Sequence, residues 1–503
     1  MEERQSSGFD YLGPIVFLWF LNILGMPIWA IAILAAWYFL LIHLENNGTL
    51  DDWNATRAMG FILMIRTQRG KILLDKISQY RKFWRGFGEF SIWLCFLMMF
   101  GVIFLLVATA VFAVIEPPQQ SLPAKDLLLI PGVTSFVPFW WPVIALIVAL
   151  VIHEYSHGIQ ARVHGMRLRS FGLLLAGPLP MGAFAEPELE EIVRAPRRER
   201  IRLYAAGPSI NIVATYLILI ILSATASGFV AQEEGVHARA IIDDTGASEA
   251  GLLPYEIITH IDGQWVPDFN SFSHALDQSQ AGDMVMISVL SHENENGQRE
   301  ARRISVTLTD QRQYYLGMCE GEQACLDDTA EILDLWGIYE GNAFLGVSGL
   351  SAGTSGVDYY ELSTVGDSGL VYNSLSFLLR PLGIMGIPII NDGQTMALEE
   401  RALIKAGDGF VASSLGTEGM LGLFDFLFWL AWINFILGFA NLIPMIPFDG
   451  GHIVHDTIHS TIAMLSKKMH PMQIESLAGK ISNFSSIGML IIVLFPILLP
   501  KLI

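Results

Sequence analysis

Long apolar runs separated by short polar stretches make up most of the chain, and one long central segment breaks that rhythm. Runs long enough to cross a hydrocarbon core of about 30 Å lie at Tyr11 to His43, Phe90 to Ile115, Phe139 to Val163, Leu203 to Val230, Leu423 to Pro447 and Phe484 to Pro500. They predict about six transmembrane helices. Between 231 and 420 the period changes. A strand-like HARAII is followed by DDTGASEAGLLPYEIITHIDGQWV and the polar helix FNSFSHALDQS. The alternating MVMISVL comes next and then, past the turn-like ENENGQ, ISVTLT. That order predicts an inserted α+β domain. Two further stretches are ambiguous. FILMIRTQRGKILLDKISQYRKFWRGF, within 44–89, mixes aliphatic, aromatic and cationic residues. It reads either as an interfacial helix on the inner membrane surface or as a loop with a helical turn or two. SFLLRPLGIMGIPII and MALEERALIKA, between Asn373 and Ala406, suggest surface-lying helices leading to the fifth span. The resulting division is 1–138 (first spans and a basic loop), 139–230 (first half of a membrane core), 231–350 (inserted domain), 351–422 (juxtamembrane segment) and 423–503 (second half of the core).

Composition supports a polytopic α-helical membrane protein with soluble parts: 52% of the 503 residues are hydrophobic and 16% charged. The polar N-terminus MEERQSSGFD precedes a run too long for a cleaved signal peptide, so it is expected to be retained. Lys and Arg number 8 in 44–89, 8 in 162–202 and 3 in 448–482, against 1 each in 1–10, 116–138 and 501–503. By the positive-inside rule the first three are cytoplasmic, and both termini and the inserted domain are extracytoplasmic, in the cell membrane. Segment 231–420 carries 29 acidic and 8 basic side chains in a chain of net charge −19, which argues against a nucleic-acid partner. Cys95 reads as a small buried thiol in the second span. Cys319 and Cys325 share a polar loop, where a local disulfide is expected; a zinc ribbon would need a second cysteine pair.

The chemistry lies in HEYSH, residues 153–157, inside an apolar run of helical length. Positions i and i+4 of a helix differ by about 40° in azimuth and lie one turn apart, so His153 and His157 can reach one metal ion. Glu154 points to the same cavity and can handle the proton of a bound water. A carboxylate near the middle of a spanning helix costs roughly 2–3 kcal/mol, which makes such a cluster functional by default. Zinc with two His needs a third protein ligand and an open position for water. The candidate is Asp449 in NLIPMIPFDGGH, where two prolines and two glycines break the fifth span. His452, His455 and His459 follow at helical spacing and read as a solvated face, because further ligands would leave no room for water.

HEYSH on one span and N-x-x-P-x-x-P-x-D-G-G on a later one resemble the site-2 protease family of intramembrane zinc metalloproteases. Ala206, Gly207, Pro208 and Asn211 reproduce its A-G-P-x-x-N, and LLLAGPLPMGAFAEPE resembles its β-rich membrane-embedded loop; Phe448 stands where the family often has Leu. The resemblance covers about 139–230 and 423–460. It implies Zn2+ on His153, His157 and Asp449, Glu154 as catalytic acid/base, and Asn211 and Asn441 as substrate-binding residues. Interhelical hydrogen bonding is the alternative for both asparagines. The central domain resembles a circularly permuted PDZ domain through AGLLPYEIITHIDGQWV, although Tyr255 and Glu256 replace the usual Gly-Asp. The implied activity is cleavage of single-span membrane proteins within the lipid bilayer, with the PDZ-like domain gating access. A membrane metal transporter and a non-catalytic PDZ scaffold are the competing readings.

Overall fold

The computed structural model describes residues 16–19, 21–22, 25–58, 60–67, 71–117, 123, 125–126, 129–177, 179–294, 297–319, 321–362, 370–466 and 469–501. The first ten residues, expected to be retained, lie outside the described residues. The chain forms two units, one from 1–220, 378–393 and 425–503 and the other from 221–377 and 394–424.

Among the described residues, six helices are long and apolar enough to cross a membrane: α1 (Ile28–Asn46), α3 (Arg81–Ile115), α4 (Trp140–Val163), α5 (Arg197–Ala226), α8 (Phe410–Asn441) and α10 (Pro471–Leu498). With lipid as solvent a helix can be apolar on every side, and α3 shows the two kinds of face. Trp93, Leu97, Phe100 and Phe104 are exposed, whereas Cys95, Met99 and Val102 are buried against Ala205 and Ile453. Helix α3 has 35 residues, more than the roughly 20 a span needs. Its polar first turns carry Glu89, which accepts hydrogen bonds from Arg198 and Arg202 of α5.

Within segment 44–89, FILMIRTQRGKILLDKISQYRKFWRGF is helical in its second half, and its first half departs from both forms expected from sequence. ILMIRT is β2 (Ile62–Thr67), in a hairpin with β1 (Ala55–Ala58), and the short helix α2 (Lys71–Ser78) follows. β2 pairs antiparallel with β3 (Leu168–Ala176) from Ile62↔Ala176 to Thr67↔Phe171, and β3 pairs with β4 (Leu179–Pro187). The sheet order is β1-β2-β3-β4. A short apolar run has no period that distinguishes strand from helix, and here the deciding partner is β3, far along the chain. Two span ends also move. Helix α8 stops at Asn441, before the prolines, and α10 starts at Pro471, where His470 and Gln473 form a capping box.

In the second unit, β5 (Phe229–Ala231) precedes β6 (Val236–His237), β7 (Ala240–Ile241), β8 (Ile257–Ile261), β9 (Gln264–Trp265), β10 (Met284–Leu290) and β11 (Ala301–Thr307). Then follow β12 (Thr309–Asp310), β13 (Ala343–Phe344), β14 (Val347–Ser348) and β15 (Ser351–Ala352). The main sheet runs β11-β10-β8-β6-β15 with β9 on β8, so it continues past residue 350. Alternation in MVMISVL buries Val285, Ile287 and Val289 and exposes Met284 and Met286. Helix α6 (Phe269–Leu276) begins where Asp268 accepts the Ser271 amide at 2.8 Å and closes the core with Phe272 and Ala275. Cys319 and Cys325 are joined by a disulfide at the start of α7 (Gln323–Leu335), and Cys95 is free and buried. The end of MALEERALIKA is not helical: β16 (Ile404–Ala406) pairs with β5 (Phe229–Ala231).

Candidate active site

All six candidate site residues belong to the membrane-spanning unit. His153 and His157, one turn apart on α4, bring their Nε2 atoms to 3.1 Å. Asp449 Oδ2 lies 3.3 Å from the first and 3.4 Å from the second. An ion with bonds of about 2.0–2.1 Å to three corners of a tetrahedron needs ligand atoms about 3.3 Å apart, so this triangle fits zinc. A catalytic zinc on three such ligands would keep its fourth position for water. His157 Nδ1 donates to the Leu203 carbonyl at 2.7 Å, which leaves Nε2 with its lone pair facing the triangle.

Glu154 also lies within 4.8 Å of both imidazoles, so two carboxylates compete for the third ligand position. The hydrogen bonds separate them. Glu154 Oε2 accepts the Ala185 amide of β4 at 2.9 Å, and a single Asp449 oxygen closes the triangle with both imidazoles. The sheet thus holds Glu154, and a separate helix brings Asp449 to the imidazoles.

Asp449 does not sit within the break in the fifth span, as the prolines suggested. It is the first residue of α9 (Asp449–Leu465), where the free amides of a helix start favour an anion. The glycines after it have a steric cause. A Cβ on Gly450 would lie 2.7 Å from the Leu442 carbonyl, and one on Gly451 would lie 2.5 Å from Met445 and Ile446 backbone atoms. Only glycines let α9 start against the backbone of the preceding turn.

Asn211 is fully buried on α5, and neither its amide nor its carbonyl oxygen has a hydrogen-bond partner among the described residues. Asn441 differs, since its amide donates to the Leu437 carbonyl at 3.0 Å. Asn434, fully buried one turn before the point where Gly438 meets Pro208 of α5, keeps an unpartnered Oδ1. It was missed from sequence, although a lone Asn in an apolar span is the signal that singled out the other two.

The expected solvated histidine face of α9 is packed instead. His452 stacks on Tyr204 with ring centres 4.7 Å apart, and His455 lies 3.4 Å from Glu475. His459 is 4% exposed and accepts from Arg197 at 2.7 Å. On the same helix Asp456 is buried in an ion pair with Arg200 of α5. A polar helix face can bury itself when neighbouring helices bring matching charges, and those partners lie far away in sequence.

Residues 141–488, more than half of the chain, match the model of peptidase family M50. An uncharacterized protein of Methanocaldococcus jannaschii is 26% identical over 241 residues, 47% of this chain and 62% of that protein. A Mesorhizobium japonicum protein named "Putative zinc metalloprotease" is 23% identical over 386 residues, 67% of this chain and 92% of that one. A Xylella fastidiosa protein of the same name is 25% identical over 169 residues, 28% and 37% of the two chains. The chain therefore spans less than two thirds of the first and third of these relatives.

Proposed function

The chain belongs to peptidase family M50, and from that premise we propose that it is an integral membrane zinc endopeptidase that cleaves single-span membrane proteins within the bilayer. One observation carries the reading: His153, His157 and Asp449 form a triangle of tetrahedral edge length, with Glu154 beside it but hydrogen-bonded elsewhere.

His153, His157 and Asp449 hold the ion. Bound zinc supplies a water acidified towards neutral pH and a Lewis acid for the scissile carbonyl. Glu154, oriented by the Ala185 amide, takes the water proton and delivers it to the leaving amine. A helical substrate has no free backbone to offer, so the scissile stretch unwinds before attack. Strand β4 ends the four-stranded sheet and carries the Glu154 contact, which makes its outer edge a template for an opened chain. Asn211, buried with both polar atoms unpartnered, binds the substrate carbonyl or the developing oxyanion. Asn441 gives one amide N–H to the Leu437 carbonyl and can offer its other N–H to the same substrate stretch.

The excess of basic residues in 44–89, 162–202 and 448–482 supports a cytoplasmic side for these loops and an extracytoplasmic side for the termini and the central domain. The Cys319–Cys325 disulfide agrees with an oxidising exterior for that domain. We read the domain as PDZ-like and as a gate on substrates in the cell membrane.

Glu154→Gln tests the chemistry. The variant should retain about one zinc per chain while an uncut membrane protein accumulates on it. Asp449→Ala should lose most of the metal. No uncut membrane protein trapped on zinc-loaded Glu154→Gln would favour a transporter or scaffold, and full zinc in Asp449→Ala would remove Asp449 from the ligand set.

A further inference from the structure

Gly207 lies on α5 between Ala206 and Pro208, where neither its backbone conformation nor a turn calls for glycine. Its surroundings do. A Cβ built on Gly207 would stand 2.3 Å from His157 Nε2, 2.5 Å from His153 Nε2 and 2.7 Å from His153 Cε1. Carbon cannot approach nitrogen that closely without a bond, but the first two distances are close to the roughly 2.0–2.1 Å at which imidazole binds zinc. The space above the Gly207 Cα is therefore space that a bound ion and its ligands use.

The helices cannot move apart to make room. His157 Nδ1 donates to the Leu203 carbonyl at 2.7 Å, and Ser156 donates to the Ala206 carbonyl at 2.9 Å. Both bonds tie α4 to α5 within one turn of Gly207. Breaking either would leave a buried polar group unpaired, and the His157 bond also fixes the tautomer that presents Nε2 to the metal.

We propose that Gly207 is a positioning residue for the metal, its missing side chain forming one wall of the coordination volume, so that any Cβ at this position excludes zinc. The proposal rests on the metal site described above. It also separates two roles within A-G-P-x-x-N: Gly207 keeps the ion's space clear, and Asn211, one turn on, faces the substrate.

The test compares wild type, Gly207→Ala and Gly438→Ala, each purified as the full chain in detergent. Gly438 is a suitable control because it too packs closely on α5, 2.9 Å from Ile212 and 3.1 Å from the Pro208 carbonyl, and its nearest neighbours are not the imidazoles. The readouts are zinc per chain and the Tm measured with zinc and with chelator. Gly207→Ala should lose zinc more than tenfold and show no zinc-dependent rise in Tm. Its Tm in chelator should fall no further than that of Gly438→Ala, because the atoms nearest the new methyl are the ends of two imidazole side chains, which can turn aside when no ion holds them. Gly438→Ala should keep its zinc and melt lower under both conditions. Stoichiometric zinc in Gly207→Ala overturns the proposal. So does zinc loss accompanied by a chelator Tm below that of Gly438→Ala, because a packing defect would then explain the loss. A wild type that carries no zinc and gains no stability from it would instead refute the metal site itself.

Discussion

Tyr255 has φ 61°, in the left-handed region where the PDZ pattern places glycine, and Glu256 after it is 3% exposed. The Tyr-Glu pair therefore keeps the turn it departs from in sequence: Glu256 accepts the Leu253 amide and pairs with Arg302. The Tyr255 ring stacks on His237, 5.6 Å away. That histidine is 1% exposed, its Nδ1 has no partner among the described residues, and its Nε2 is 3.4 Å from the Ser355 hydroxyl. Burial pushes its imidazole down to about 4, Arg239 acts in the same direction and Glu400 opposes both. Between that value and about 6.5 the unfolded chain binds a proton that the folded chain does not, so stability falls as pH drops through this window. One such group contributes roughly 1–3 kcal/mol. Thermal unfolding between pH 7 and 4.5 should therefore depend less steeply on pH in His237→Gln than in wild type; equal slopes would mean that the imidazole titrates freely in the folded protein. Legibility varied sharply among single residues. His153 and His157 could be found because one helical turn fixes their separation, and Asp449 because helix breakers surround it. Gly207 and His459 could not, because their roles depend on side chains brought in by other helices.

At the scale of elements, spans are legible because a membrane imposes one length and one composition on every helix that crosses it. β2 is the counterexample. ILMIRT carries no sign of its partner β3, yet the sheet depends on that pairing, and through β4 the sheet positions Glu154 by the Ala185 amide. Met64 lies inside β2 with Thr56 on one side and Leu174 on the other, so its amide faces a neighbouring strand in either direction. Met64→Pro removes that donor from a strand paired on both edges, at a cost of about 3 kcal/mol or more. None of the proposed ligands His153, His157 and Asp449 is on the sheet. The expected result is zinc near wild-type content with cleavage slowed roughly ten- to a hundredfold, the scale of a misplaced reactive group. Loss of zinc together with activity would show that the sheet supports the whole site rather than the proton carrier.

For the molecule as a whole, loop charge gave an orientation from sequence, but the extent of the central domain was not legible. Its sheet closes through β15 at Ser351–Ala352, beyond the limit drawn at 350, because a two-residue strand has no periodic signal of its own. The region after it also contributes to that unit: Glu400 accepts from Arg239 at 2.8 Å and from Ser355 at 3.0 Å. In the orientation proposed from loop charge, α4 would run inward, and HEYSH near its C-terminal end and Asp449 after α8 would meet in the cytoplasmic half of the bilayer. The acidic 231–420 segment, and a Tyr255-Glu256 turn whose side chains are engaged by His237 and Arg302, support our reading of the central domain as excluding bulky substrates rather than capturing a specific peptide. Deleting 235–352, which removes β6 and β15 together, should leave cleavage of a short-tailed single-span substrate within about threefold of wild type. It should also permit cleavage of a substrate with a folded external domain that the intact protein rejects. Both substrates are to be scored in the same membranes, with zinc content confirming that the core has kept its site. If both go uncut while zinc remains, the domain recruits substrate, and gating by exclusion is wrong.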